Sequence, residues 1–125
     1  MRNKGQALIT LLFFSVIAIN VTAAAVIILM VNTLSGSKLQ QGSVAYAVAQ
    51  AGIENAKLRL LRDPDYTGET DLSVGDGLVD ITVSKNGSEY TILSVGEIAN
   101  FKRQIQMTAL YSENLFTFDP QEEVF

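Results

Sequence analysis

Three groups of polar residues in this 125-residue chain have types and spacing that could do chemistry. The stretch DPDYTGETD places Asp63, Asp65, Thr67, Gly68, Glu69 and Asp71 roughly as in the first nine positions of a calcium loop, where hard oxygens at alternate positions surround the ion. Pro64 is awkward in such a loop, and its last position is Val74 rather than Glu. An acidic, solvated loop explains the same residues, so Asp63, Asp65 and Asp71 are weak metal candidates and no metal is expected. Asp76 and Asp80 come nearest to the paired carboxylates of a glycosidase. Nothing around them suggests a cleft, and solvated charge at a strand edge accounts for them. Asn86-Gly87-Ser88 is formally a glycosylation sequon, although a hairpin turn already explains Asn-Gly. The chain has no Cys and no His, which excludes thiolate chemistry and removes the commonest general base and metal ligand. No catalytic residue and no cofactor is expected, and the chain does not read as an enzyme.

The elements that must position these residues begin with an oily helix. Residues Met1–Gly5 form a short leader carrying Arg2 and Lys4, and no charged residue then appears until Lys38. The run Ala7–Val31 is apolar except for Thr10, Ser15, Asn20 and Thr22. As a helix its 25 residues span about 37 Å, more than the roughly 30 Å of a hydrocarbon core. Its Leu, Ile, Val and Phe residues, at about −0.3 to −0.6 kcal/mol each, favour insertion by about 5–9 kcal/mol in all. Secretory signal cores are about 7–15 residues long; this run is longer, although Ala23-Ala24-Ala25 could mimic a cleavage site. Without Arg2 and Lys4, the remaining basic residues against 13 acidic ones leave the rest of the chain at −6. That asymmetry predicts a cytoplasmic N-terminus with the following domain outside. It also argues against nucleic acid as a partner.

Beyond the membrane run, residues 32–62 read as an amphipathic extension of the same helix, from about Gln6 to about Arg62 overall. Ser35-Gly36-Ser37 is its weak point. Val44, Val48, Ala51 and Leu58 fall on one face, and Ala45, Ala49, Gly52 and Ala56 on the adjoining one, where small side chains would admit a neighbouring helix. Ile53, Leu60 and Leu61 broaden the apolar side. Asp63-Pro64 ends the helix, since the residue before Pro is pushed out of helical geometry. Residues 63–111 then read as a three-stranded antiparallel meander. LVDITVS alternates Val79, Ile81 and Val83 against polar residues, and Asn86-Gly87 supplies a two-residue turn. EYTILSV follows, and a third strand places Phe101, Arg103, Ile105, Met107, Ala109 and Tyr111 on one face. The fold class is thus α+β, with a long N-terminal helix covering a small three-stranded sheet. The acidic tail, 112–125, fits an extra edge strand, a mobile end or a contact arm equally well.

Three stretches, in order, resemble the type IV pilin and type II secretion pseudopilin family, and its minor pilins in particular. RNKGQALITLLFF resembles a class III leader, AYAVAQAGIENAKLRL an Ala-Gly-Ile-Glu helix segment, and ILSVGEIANFKRQIQMTA a Ser-x-Gly then Arg hairpin, matched by Ser94, Gly96 and Arg103. The resemblance implies that a prepilin peptidase cuts after Gly5 and methylates Gln6. It implies a precursor held in membrane lipid, which then joins other pilin subunits through its N-terminal helix, with Ala24 and Val26 in the packed core of a cell-surface filament. In one departure, Gln50 stands where Glu is more usual. In another, Thr10 occupies the position where most pilins carry the Glu thought to neutralise a neighbouring subunit's N-terminal ammonium. A subunit lacking that carboxylate fits best at the filament tip, where it has no predecessor to neutralise. The alternative is an unprocessed single-pass module that binds something outside the cell, in which Thr10 is simply a tolerated polar residue and Gly5 has no special purpose.

Overall fold

The computed structural model describes residues Asn3–Phe125; Met1 and Arg2 of the leader lie outside the described residues. The described chain consists of helix α1 (Asn3–Arg62) and six strands, β1 (Gly68–Val74), β2 (Gly77–Asn86), β3 (Glu89–Ile98), β4 (Phe101–Ser112), β5 (Leu115–Phe118) and β6 (Glu122–Val124). It divides into two compact units at Lys38/Leu39. The first unit is helical throughout its described residues: α1 starts before Gly5 and runs through Ser35-Gly36-Ser37. Gly36 has open space around it, so its cost there is one of propensity alone.

The second unit is α+β. The outer part of α1 ends where Asp63–Pro64 was expected to stop it, with the Asp63 N–H donating to the Arg59 carbonyl at 2.8 Å. The Asp65 N–H then donates to Asp63 Oδ1 at 3.0 Å, a local turn of the kind Asp side chains favour. The sheet is antiparallel in the order β1-β2-β3-β4-β5, with β6 also pairing β4. Six strands replace the expected three. The tail is the first source of the difference: Leu115–Ser112 pairing begins β5, and β6 places Val124 opposite Gln104. Phe116 explains the order, since it is buried against Tyr90 and Tyr111, with ring centroids 5.1 and 4.5 Å away. The second source is β1, formed from residues that had been assigned to the acidic loop.

Four hairpins in succession turn through two residues: Gly75–Asp76, Gly87–Ser88, Ala99–Asn100 and Glu113–Asn114. The turn after β2 is therefore one residue later than Asn86-Gly87, and Asn86 itself pairs with Glu89. Each turn opens on a residue of positive φ, as strand twist demands of tight hairpins. Gly75 and Gly87 adopt this without strain, but Ala99 does so at φ 51°. Relieving a left-handed alanine is worth about 1–2 kcal/mol, offset in part by about 0.4–1 kcal/mol of extra chain entropy in the unfolded state. Ala99→Gly should therefore stabilise this unit by about 0.5–1 kcal/mol, seen as a higher urea midpoint in a tyrosine-fluorescence titration.

The core lies between the outer part of α1 and one face of the sheet. Ile53 and Leu60 from the helix are fully buried with Val79, Tyr90, Ile92 and Ile105 from the strands. Each large aliphatic side chain so buried contributes about 1.5–3 kcal/mol. The alternation expected in β2, β3 and β4 is present, with Val79, Ile81 and Val83, then Tyr90, Ile92 and Ser94, then Ile105, Met107 and Ala109 facing inward.

Candidate functional site

Within the first unit, Leu8–Leu34 includes large apolar side chains that all lie exposed, and none of the most apolar window is buried. Among the described residues this is the one helix long and apolar enough to cross a membrane. Its polar residues are made compatible with an apolar medium by a repeated local device. Thr10 Oγ1, Ser15 Oγ, Thr22 Oγ1 and Thr33 Oγ1 each donate to the carbonyl four residues back, at 2.7–2.9 Å. Asn20 does the same through Nδ2 to the Val16 carbonyl at 2.7 Å. A hydroxyl whose proton is so engaged carries much less desolvation cost. Thr10 thus bonds to Gln6 and brings no charge to this part of the helix. Gly5 and Gln6 lie within the first turns of α1, and a Cβ on Gly5 would meet nothing within 4 Å. Ala24 and Val26 are exposed on the helix.

In the second unit, α1 docks on the sheet through small residues. Gly42, Ala45, Ala49, Gly52 and Ala56 are all buried. Of the larger apolar residues, Val48, Ile53 and Leu60 are buried beside them, whereas Val44, Leu58 and Leu61 are turned away, at 37%, 61% and 56% exposure. The small-residue face therefore receives the chain's own sheet rather than the neighbouring helix that spacing suggested. Small side chains win this face because the sheet comes within backbone contact. A Cβ on Gly96 would collide with the Ala45 carbonyl and the Ala49 backbone, and one on Gly52 would collide with the Ser94 hydroxyl and lie 2.6 Å from Val79 Cγ2. Fully buried Ser94 uses this proximity, donating from Oγ to the Ala49 carbonyl at 2.7 Å. That bond spends the second lone pair of a helix carbonyl and satisfies a hydroxyl that would be costly to bury alone.

Arg103, paired with Gly96 across β3 and β4, completes the seam. Its guanidinium lies against Gly42, with Nη2 3.4 Å from where a Cβ would be, while Nη1 donates to Glu123 Oε1 at 2.9 Å. Ser94, Gly96 and Arg103, the three residues on which the hairpin resemblance rests, thus all meet the helix between Gly42 and Gly52. Gly42 and Glu123 were not singled out from sequence. For Gly42 a signal existed, because it extends the 45, 49, 52, 56 series of small residues by one step.

The acidic residues are dispersed. Asp65 Oδ1 lies 3.9 Å from Lys85 Nζ, Asp63 caps its own turn, and the Asp71 N–H donates to Asp80 Oδ1 at 2.8 Å within a bulge of β1. Among the described residues no three acidic side chains gather to hold a metal. Arg59 pairs with Glu69 at 3.2 Å, and Lys57 with Glu54 at 3.2 Å. Tyr66 sits beside that first pair, and burial, then the Glu69 charge, push its phenol above 10.0. No family model matches the chain, and neither does any curated protein or solved structure.

Proposed function

We propose that this chain is a minor pilin- or pseudopilin-like subunit. It enters the membrane as a precursor with its N-terminus in the cytoplasm, is cut between Gly5 and Gln6 by a prepilin peptidase, and joins a type IV pilus-like filament through its apolar helix. The observation that carries this reading is the division of labour along α1. Along its uncharged part, Gly5–Ser37, the large apolar side chains all lie exposed, whereas Gly42–Leu60 buries one side against its own sheet. A helix surrounded by lipid tails can exchange them for other apolar helices at little cost, since the two environments are alike.

Cleavage is the decisive test. The first turn of a helix lacks intrahelical acceptors for its N–H groups, so opening it at Gly5 is cheap, and glycine presents no side chain to a peptidase. N-terminal mass analysis of the membrane and filament fractions should find methylated Gln6 as the first residue, and Gly5→Val should leave the full leader in place. An intact Met1 start combined with normal behaviour of Gly5→Val would instead favour the unprocessed membrane-anchored binding module.

The tip position follows from Thr10. Each shaft subunit must neutralise the ammonium of the subunit laid down before it, because an unpaired charge in an apolar core is expensive. Thr10 offers only a hydroxyl already donated to Gln6. Only the first subunit escapes that requirement, and its own ammonium can be met by the next. Immunogold labelling against 121–125 should be sparse or terminal, and Thr10→Glu should let the label spread along the shaft. Dense shaft labelling of the unaltered protein would overturn the tip position.

A further inference from the structure

Asn20 differs from the other polar residues of the apolar helix. The hydroxyls of Thr10, Ser15, Thr22 and Thr33 have each given their one proton to a backbone carbonyl. The Asn20 carboxamide has two protons and a carbonyl, and its bond to Val16 uses one proton only. Among the described residues the remaining N–H and Oδ1 make no hydrogen bond. In hydrocarbon, an amide left in that state has no water to turn to.

The structure assigns Asn20 as the contact point of a parallel pair formed with a second copy of this chain in the membrane, each carboxamide donating its free N–H to the Oδ1 of the other. Two features select a second copy. A free donor and a free acceptor on one side chain are self-complementary, so a two-fold axis satisfies both at once. Copies inserted in one direction also place Asn20 at the same depth, which a helix of unrelated sequence does only by coincidence. The surrounding face permits the approach. Ala23 and Ala24, three and four residues on, share the Asn20 side of the helix, and small side chains let helix axes come close enough for carboxamides to meet. A single Asn in an apolar seam fixes register and pairing in the same way in coiled coils. The pair belongs to the membrane pool, and a subunit leaving for a filament would exchange these bonds for its new surroundings.

This inference rests on the membrane part of the proposed function alone, not on cleavage or filament assembly. The chain has no Cys, so a single Ala24→Cys reports on its own face without interference. In oxidised membranes holding the full chain at a low protein-to-lipid ratio, Ala24→Cys should give a disulfide-linked homodimer. Ala25→Cys, about 140° around the helix from Asn20, should not. Adding Asn20→Val to the Ala24→Cys chain should lower the association constant about tenfold, and Asn20→Gln should largely restore it. Asn20→Val makes the helix more apolar, so it still inserts, as the carbonate-resistant fraction will show. An unchanged homodimer yield in inserted Asn20→Val, equal yields from Ala24→Cys and Ala25→Cys, or a crosslink only to a chain of different mass would each overturn the pairing. Adding Gly5→Val should leave the homodimer intact, so a failure of the processing step is read separately.

Discussion

Replacing Gly96 by alanine should destabilise the Leu39–Phe125 unit by about 3 kcal/mol, at the upper end of what overpacking costs, and replacing it by valine should prevent stable folding. The added Cβ would meet backbone atoms of Ala45 and Ala49, including Ala49 Cα at 2.9 Å, and backbone cannot turn aside as a flexible side chain can. Relief requires lifting helix from sheet, which would also stretch the Ser94–Ala49 hydrogen bond and open the packing around Ile53 and Ile92. Against a typical domain stability of about 5–15 kcal/mol, the alanine variant should survive with a lowered urea midpoint. The valine variant should be cut rapidly by trypsin at Lys57, Arg59 and Arg62. Gly36→Ala provides the contrast: with open space around it, the substitution should be neutral or slightly stabilising. A Gly96→Ala variant as stable as Gly36→Ala would show that the close approach of helix to sheet does not govern Gly96.

Aspartate at Ala24 or Val26 should separate insertion from assembly. A charge at the centre of a membrane helix costs about 2.5–3.5 kcal/mol, against the roughly 5–9 kcal/mol by which the apolar run favours insertion. A single Ala24→Asp or Val26→Asp chain should therefore remain in the carbonate-resistant membrane fraction. Both together cost about 5–7 kcal/mol, comparable to the whole of that gain, and should lower the inserted fraction further. In the proposed filament, even one Asp would be buried without a partner, so either single variant should vanish from sheared filaments while persisting in membranes. Its presence there at normal levels would rule out helix packing as the basis of assembly.

How much of this was legible in the sequence depended on which physical signal each element carried. Parity was plain: Val79, Ile81, Val83 and Ile105, Met107, Ala109 alternate cleanly with polar residues and face inward as expected. Register was not, because sliding β2 on β3 by two residues preserves every inward side chain. What selects the observed pairing, Val79 with Gly96 and Ile81 with Ser94, is the helix, which tolerates only glycine where Gly96 meets it. Strand β1 was hidden because GETDLSV has charged residues and a bulge at Asp71, which breaks its alternation. The tail was undecided because LFTF is too short to show a period, and Phe116 packs on Tyr90 and Tyr111, which lie in other strands. On the outer helix the apolar side is broad, and size alone does not say which large residues it buries: Val48, Ile53 and Leu60 flank the alanine and glycine stripe and are covered with it, whereas Leu58 and Leu61 lie outside it. Of the site residues, the polar composition of the apolar run was visible at once, while the back-bonding that engages the Thr10 hydroxyl, and only one of the two Asn20 amide protons, depends on helical geometry and was not.

Both margins of the sheet are broken. On one side, β1 is interrupted at Asp71, where φ is 55° and the register with β2 shifts, and it also carries Glu69. On the other, the outer edge of β4 is shared by β5 and β6, with Asp119-Pro120-Gln121 between them. An uninterrupted margin would offer its row of unused N–H and C=O groups to any copy beside it, and open strands are templates for runaway stacking. Here a bulge, acidic side chains and a proline deny each margin the length such stacking needs. Copies of this chain can therefore bring their sheets together without gluing them, so that contacts made elsewhere decide which copies stay in company.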